Sequence, residues 1–195
     1  MEDLSKLKDE ELMERYLDEG SEKFFVEIVN RYLRPVYNFV RRYGGDEKDA
    51  EEISQESFVK LWKNIRKYRK GEKFKTWFFT IARNTAIDLL RKKRHVVFSA
   101  FDSENGSNIL EDTLESQEVM ADKIFELSEN KDLLEKLLDD LPPNYKEVLF
   151  LYYNEEMNLE EISEVLKKPL NTVKSQHRRA LIKLREHMDA PKLNH

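Results

Sequence analysis

Apolar side chains recur at helical spacing through the first half of the chain. One stretch runs from Phe24 to Leu33, a second from Ile53 to Ile65, and a third from Phe74 to Leu90. In each, apolar positions repeat about every 3.6 residues and polar positions separate them. This period predicts three amphipathic helices, each with one buried face.

Prolines, glycines and capping residues mark where the first helices should begin and end. Asp9 is expected to cap a short first helix over residues 10–19. Pro35 is expected to interrupt or kink the next helix, because proline lacks the amide proton that a helix interior uses. The pair Gly44-Gly45 should then end that region.

The helix after this break is predicted over residues 46–68, and Trp62 is expected on its buried side. A turn over residues 69–72 separates it from the next helix. That helix begins at Phe74 and ends in a cationic run over residues 91–94. The first 95 residues therefore read as one helical domain.

The helical pattern disappears after this domain. Between Ser99 and Asp122 there are seven acids and no cation, and few apolar side chains are left to bury. Periodicity returns near residue 123. The sequence predicts an all-α protein with two small helical domains, residues 1–95 and 123–190, joined by a flexible acidic linker over residues 96–122.

The segment from Met157 to Glu186 is typical of a helix-turn-helix within the second domain. Leu159, Ile162 and Leu166 have the spacing of one buried helix face. Pro169 then stops this helix, and Asn171 is expected to cap the next one. The apolar stripe of that second helix comprises Val173, His177, Ala180 and Leu184, with His177 expected to pack there.

Cations are concentrated on this second helix, although the formal net charge of the chain is −5. Between Lys167 and Arg185 there are seven Lys or Arg and no Asp or Glu. A merely solvated helix face is the alternative explanation. The absence of acids in an otherwise acidic chain favours binding to a polyanion, and a helix-turn-helix places such a helix in the major groove of DNA.

Other classes of function find little support in the residues. The chain has no cysteine, and its four histidines lack the spacing of metal ligands. There is no glycine-rich phosphate loop, so neither an enzyme nor a metal or other cofactor is expected. The N-terminus is too polar for a secretory signal, and no apolar run approaches the roughly 20 residues of a membrane span. We expect a cytoplasmic protein.

Four motifs in order carry a family resemblance: DAEEISQESF from Asp49, FKTWFFTIARN from Phe74, LPP from Leu141 and TVKS from Thr172. Together they resemble the sigma factors of bacterial RNA polymerase, in particular the short extracytoplasmic-function group. The resemblance covers nearly the whole chain apart from the linker and the tails. It implies a subunit that binds core RNA polymerase and promoter DNA.

The resemblance assigns a polymerase-docking surface to the helix that begins near Asp49. The side chains it implies are Glu51, Glu52, Gln55 and Glu56. It also implies that the turn and helix after residue 68 melt promoter DNA and capture an unstacked base, for which aromatic, amide and cationic side chains are suited. The candidates for that element are Asn64, Tyr68, Arg69, Lys73, Asn84 and Arg91.

The helix-turn-helix would read an upstream promoter element. The expected DNA contacts are Thr172, Lys174, Ser175, Gln176, Arg178, Arg179 and Lys183. Of these, Gln176 is expected on the face opposite the apolar stripe. Two positions depart from the family: Lys167 stands where the turn usually has glycine, and Gln176 stands where arginine is frequent.

Two alternatives to a sigma factor remain at this point. A stand-alone helix-turn-helix regulator would bind DNA without polymerase, but it leaves the aromatic first domain unexplained. An adaptor that sequesters another regulator leaves the cationic helix unexplained. The family is commonly controlled by an anti-sigma protein, so such a partner is implied as well.

Overall fold

A computed structural model of the chain describes residues 2–43, 46–94 and 141–189. No strand occurs among them, which confirms the all-α prediction. In chain order the described α-helices are α1 (Asp9–Glu19), α2 (Glu22–Arg41), α3 (Glu47–Asn64), α4 (Phe74–Arg94), α5 (Pro143–Leu149), α6 (Leu159–Leu166) and α7 (Leu170–Asp189). Helices α1–α4 form one compact unit, and α5, α7 and most of α6 form a second.

Several predicted features lie outside the described residues. These are the acidic linker over residues 96–122, the first part of the second predicted domain, from residue 123 to 140, and the break at Gly44-Gly45.

The first helix begins differently from the prediction. Asp9 is its first residue and not its cap, since Lys8 precedes the helix and donates its N–H to the carboxylate of Glu11 (2.8 Å). The Asp9 carboxylate instead accepts from the guanidinium of Arg31 (2.8 Å) and the hydroxyl of Tyr32 (2.5 Å). The predicted cap is therefore wrong, because this carboxylate bonds to two side chains of α2.

Pro35 lies inside α2, which runs without interruption from Glu22 to Arg41. Tyr32, Val36 and Phe39, on both sides of the proline, are buried against the rest of the unit. The predicted interruption is wrong, because this packing holds the segment helical across a position with no N–H to donate.

Aromatic rings form the core of the first unit. The Tyr32 ring lies edge-on to Phe74 and Phe78, with centroids 5.4 Å and 5.5 Å away, and Phe39 lies edge-on to Phe79 at 5.1 Å. Edge-to-face contacts of this kind suit the charge distribution of aromatic rings. They join α2 to α4 and so hold the α4 residues of the candidate site in place.

Helix α3 is shorter than predicted. The carboxylate of Asp46 accepts from the N–H of Asp49 (2.7 Å) and begins the helix. The α-helix ends at Asn64 and continues as a 3₁₀ turn over Ile65–Lys67. This tighter turn leads the chain into the segment between α3 and α4.

The second unit is organised around α5 and α7. Helix α5 begins at Pro143, where a missing N–H has no cost, and is followed by a π-helical turn over Phe150–Asn154. A buried cluster joins the two helices and comprises Leu141, Tyr145, Leu149, Ala180, Leu181 and Leu184. The long helix α7 therefore rests on α5.

Candidate nucleic-acid interface

Helix α6, a short turn and α7 form the helix-turn-helix. Asn158 and Glu161 close a capping box at the start of α6, with reciprocal N–H to side-chain bonds of 2.9 Å and 2.7 Å. Lys167 follows α6 with φ +52°, in the left-handed region that favours glycine. The carbonyl of Pro169 then accepts from the N–H of Val173 (3.1 Å) and starts α7.

One face of α7 is buried as its apolar spacing predicts, with Val173, Ala180 and Leu184 fully inside. Of the expected DNA contacts, Lys174, Ser175 and Lys183 are exposed, and Thr172, Arg178 and Arg179 are half-buried. The Lys183 ammonium also lies 5.7 Å from the centroid of the Tyr145 ring. The cations of α7 thus surround its buried stripe.

Two predictions about α7 are wrong. Asn171 is the second residue of the helix and not its cap. Gln176 was expected on the exposed face, but it is 3% exposed and its amide oxygen lies 3.3 Å from the ammonium of Lys168. The reason is its spacing: Gln176 comes three residues after Val173 and four before Ala180, which puts it beside the buried stripe.

Lys168 makes an ion pair that the sequence did not reveal. Its Nζ lies 2.8 Å from the carboxylate of Glu147, whose side chain is fully buried, while the Lys168 side chain is 7% exposed. The partners are 21 residues apart. No local spacing rule connects residues so distant, so only the fold shows that they meet.

His177 packs among aromatic rings, as expected. Its ring centroid is 4.5 Å from that of Tyr152 and 5.9 Å from that of Tyr153. Burial lowers the pKa of His177 to about 4, so the imidazole is neutral near pH 7. Its Nε2 has no hydrogen-bond partner in the part of the chain that the structure describes.

The segment between α3 and α4 carries the candidates for base capture. Tyr68 is 4% exposed, its hydroxyl donates to the carbonyl of Glu72 (2.5 Å), and its ring lies against Phe74 and Trp77 with centroids 5.8 Å and 5.3 Å away. Burial raises the pKa of Tyr68 to about 12. Tyr68, a candidate for base capture, is therefore a buried ring that already packs within the protein.

The remaining candidates in this region have exposed or half-buried side chains. Arg69, Lys73 and Arg91 are exposed, and Asn84 is half-buried on α4. Asn64 is also half-buried, and its amide donates to the carbonyl of Lys60 (2.8 Å) within its own helix. The Asn64 amide is therefore already bonded within its own helix.

Helix α3 presents the predicted docking side chains on its outer side. Glu51, Glu52 and Gln55 are exposed, and Glu56 is half-buried. Glu52 pairs with the ammonium of Lys93 on α4 (2.5 Å).

Trp62, expected to face inward, is 58% exposed, and Val59 beside it on α3 is 40% exposed. Trp62 follows Gln55 by seven residues, about two helical turns, so the two share one face. Sequence reasoning missed this position because a tryptophan in an apolar pattern is more often buried. The spacing of seven residues between Gln55 and Trp62 was the signal in the sequence that placed Trp62 on the exposed face.

Metal and membrane sites receive no support from the described parts of the chain. Residues 2–43, 46–94 and 141–189 contain no cluster of three or more acidic or histidine side chains fit to hold an ion. Within the same ranges, no helix combines the length and apolar content of a bilayer span.

Comparison with known families places two models on the chain. Residues 28–96 match Sigma-70 region 2, and residues 137–186 match Sigma-70 region 4. The chain is 30% identical over 176 residues to the ECF RNA polymerase sigma factor SigW of Bacillus subtilis (strain 168), covering 89% of this chain and 94% of SigW. It is 35% identical to SigM of the same organism over 141 residues, covering 72% and 80% of the two chains.

Solved structures share the fold. CnrH, in complex with the cytosolic domain of CnrY, superposes with a TM-score of 0.63 at 22% identity, covering 94% of this chain and 99% of CnrH. RpoE of Bartonella quintana, in complex with the anti-sigma factor NepR, superposes with a TM-score of 0.61 at 19% identity, covering 88% and 100%.

Proposed function

The chain belongs to the extracytoplasmic-function sigma factors of RNA polymerase, and from this premise we propose that it binds core RNA polymerase and carries it to promoter DNA. In this proposal residues 1–95 dock on the polymerase and open the DNA, and residues 123–190 read an upstream element. The regions matched by the two family models, residues 28–96 and 137–186, support this division.

The observation that carries the DNA-reading role is the surface of α7. The helix follows a left-handed turn residue, buries one apolar face, and exposes Lys174, Ser175 and Lys183. The segment from Lys167 to Arg185 has no acid that would repel phosphates. Lysine can bond phosphates or guanine, and serine can bond any base edge, so these side chains suit a major groove.

The outer face of α3 supports the docking role. It combines exposed acidic and amide groups, Glu51, Glu52 and Gln55, with the exposed apolar side chains of Val59 and Trp62. Large exposed aromatic rings are uncommon on a free surface and frequent at the centre of protein interfaces. We therefore add Trp62 to the proposed docking surface.

The turn and helix that follow Tyr68 support the melting role. Arg69, Lys73 and Arg91 provide exposed cations for the backbone, and Asn84 provides an amide for an unstacked base. Tyr68 holds the turn in shape from inside. Each of these roles is non-covalent, so the protein acts as a binding factor and the polymerase performs the chemistry. We place this action in the cytoplasm.

An anti-sigma partner completes the proposal. In two solved structures with this fold, RpoE is bound to the anti-sigma factor NepR, and CnrH is bound to the cytosolic domain of CnrY. We expect a regulator of the same kind to bind this chain and compete with core polymerase for it. Co-purification from a bacterial extract, with and without added core polymerase, would show the competition.

Run-off transcription tests the function directly. Purified chain and bacterial core polymerase are mixed with fragments of the source genome, and transcripts are mapped. We expect discrete start sites that require both components and share an upstream element. DNA binding by the chain alone, with no transcripts from the mixture, would instead favour a stand-alone regulator.

A further inference from the structure

Lys168 joins three separate parts of the second unit through its side chain and its backbone. Its ammonium bonds to Glu147 on α5 (2.8 Å) and to the amide oxygen of Gln176 on α7 (3.3 Å). Its own backbone N–H donates to the carbonyl of Ser163 on α6 (3.1 Å). Lys168 is thus bonded to α5, α6 and α7.

Burial makes these hydrogen bonds costly to break. Glu147 is fully buried, and the side chains of Lys168 and Gln176 are 7% and 3% exposed. An ammonium removed from water needs its hydrogen-bond partners in place, because each unfilled bond leaves a desolvated charge. The network therefore resists any motion of α7 that would carry Gln176 away.

The aliphatic part of the buried face of α7 constrains that motion less. Val173, Ala180 and Leu184 are branched or small aliphatic side chains, and contacts between such groups have no preferred direction. A modest rotation of α7 about its axis would preserve much of that burial. It would break the bond between Lys168 and Gln176, and it would turn the exposed Lys174 and Ser175 away from their present direction.

We propose that Lys168, through Glu147 and Gln176, fixes the rotation of α7 about its axis and is therefore a positioning residue for promoter discrimination. This inference rests on the proposed reading of DNA by α7. Buried polar groups set register in other helical assemblies, where apolar packing alone leaves alternatives open. Gln176 acts here inside the protein and not as a base contact.

The two possible roles of Gln176 predict different patterns of discrimination. A residue that contacts a base affects the preference at one or two base pairs. A change in the rotation of α7 moves every contacting side chain, so preferences weaken across the whole upstream element. The spread of the effect along the DNA separates positioning from contact.

The test uses holoenzyme assembled from the full chain and core polymerase. Occupancy is measured on a promoter and on fragments with single base-pair changes across the upstream element. The variants are Lys168→Met, which keeps most of the length of the side chain and removes its charge, and Gln176→Leu, which leaves the ion pair intact and so protects the fold. Lys183→Met is the matched control, since it removes one exposed lysine of α7.

A single wrong base pair typically weakens binding about tenfold, and we expect both variants to reduce that penalty by about threefold or more at most positions of the element. Lys183→Met should weaken all fragments by the same factor and leave the penalties unchanged. All occupancies are measured where thermal unfolding shows each variant fully folded.

Unchanged penalties in folded Gln176→Leu, or a loss confined to one base pair, would overturn the positioning role. If wild-type holoenzyme shows no penalty at any position, the proposed reading of DNA by α7 fails, and the positioning role fails with it. A wild type that discriminates, beside variants that do so equally well, sinks the positioning role alone.

Discussion

His177 gives the second unit a specific sensitivity to acid. Its pKa falls from 6.5 to about 4 on burial, so the unfolded chain binds a proton more readily than the folded chain between those values. Stability contributed by the neutral imidazole is complete above pH 6.5 and is lost as the pH falls toward 4. At about 1.4 kcal/mol per pKa unit, the loss is on the order of 3 kcal/mol by pH 4.

Urea unfolding at a series of pH values would measure this slope. His177→Phe fits the aromatic surroundings of Tyr152 and Tyr153 and removes the titrating group. Its unfolding free energy should therefore decline less than that of wild type below pH 6.5. Parallel curves for the two proteins would show that His177 carries no part of the acid sensitivity.

Variants at Asn84 and Tyr68 should distinguish effects on promoter opening from effects on folding. Asn84→Ala is expected to leave polymerase binding and the closed complex intact but to reduce open-complex formation, because an unstacked base costs a few kcal/mol and needs its pocket. A template with a mismatched bubble should restore much of the activity. Open complexes are counted by permanganate reactivity on duplex and bubble templates.

Tyr68→Phe is the companion variant. It removes the hydroxyl that bonds to the carbonyl of Glu72, and we expect a loss of about 1 kcal/mol in unfolding free energy with little change in opening. If Asn84→Ala opens duplex promoters like wild type, Asn84 is only a structural residue of α4.

At the scale of a single element, the turn before α7 can be tested through its backbone. Lys167 has φ +52°, where glycine lacks the steric penalty of other residues. Lys167→Gly should leave the free energy of unfolding unchanged or raise it by up to about 1 kcal/mol, as measured by thermal unfolding. The relief of steric strain in the folded state is partly offset by the greater backbone freedom of glycine in the unfolded chain. Lys174→Gly, in the helix interior, should instead lower stability by about 1 kcal/mol. Equal losses at both positions would contradict a left-handed Lys167.

Helix α3 can be tested as a docking surface by placing positive charge on its outer face. The double variant Gln55→Lys and Glu56→Lys should lose affinity for core polymerase, because it places two cations on an acidic and amide face. Glu19→Lys, at the end of α1, is the control reversal and should bind normally. Pull-down with core polymerase gives the comparison. A folded double variant with full affinity would rule out this face of α3.

Helices were predictable wherever one buried face repeats over many residues. Helix α4 begins at Phe74 as predicted, and the stripe on α7 through Val173, Ala180 and Leu184 is buried. Pro35 misled the prediction because packing on both sides outweighs a local preference. Local residue preferences therefore predict an element correctly except where tertiary packing outweighs them.

The candidate site was predictable in composition and less so in detail. Exposed Lys174, Ser175 and Gln55 lie where their spacing places them. Tyr68 and Gln176 are buried, and each bonds to a group that sequence distance alone does not assign: a carbonyl in the turn for Tyr68, and the ammonium of Lys168 for Gln176. Polar side chains reveal their chemistry in a sequence but not the partner they use.

At the scale of the whole molecule, charge is divided between parts of the chain. The net charge is −5, yet the segment from Lys167 to Arg185 carries seven cations and no acid. DNA affinity should therefore fall with added salt despite the overall negative charge, since only local cations release counterions from DNA. Net charge is a poor guide to the partners of such a protein.

The exposure of Trp62 also gives the protein two distinct spectroscopic reporters. The chain has only two tryptophans: Trp62 projects from α3, and Trp77 packs 5.3 Å from the ring of Tyr68. Labelled with 5-fluorotryptophan, the protein should show two fluorine resonances, assigned by Trp77→Phe. Core polymerase, unlabelled and therefore silent, should shift or broaden the Trp62 resonance more than that of Trp77, whereas urea should move the Trp77 resonance at the folding transition. One sample would then report docking and folding on separate lines of a spectrum.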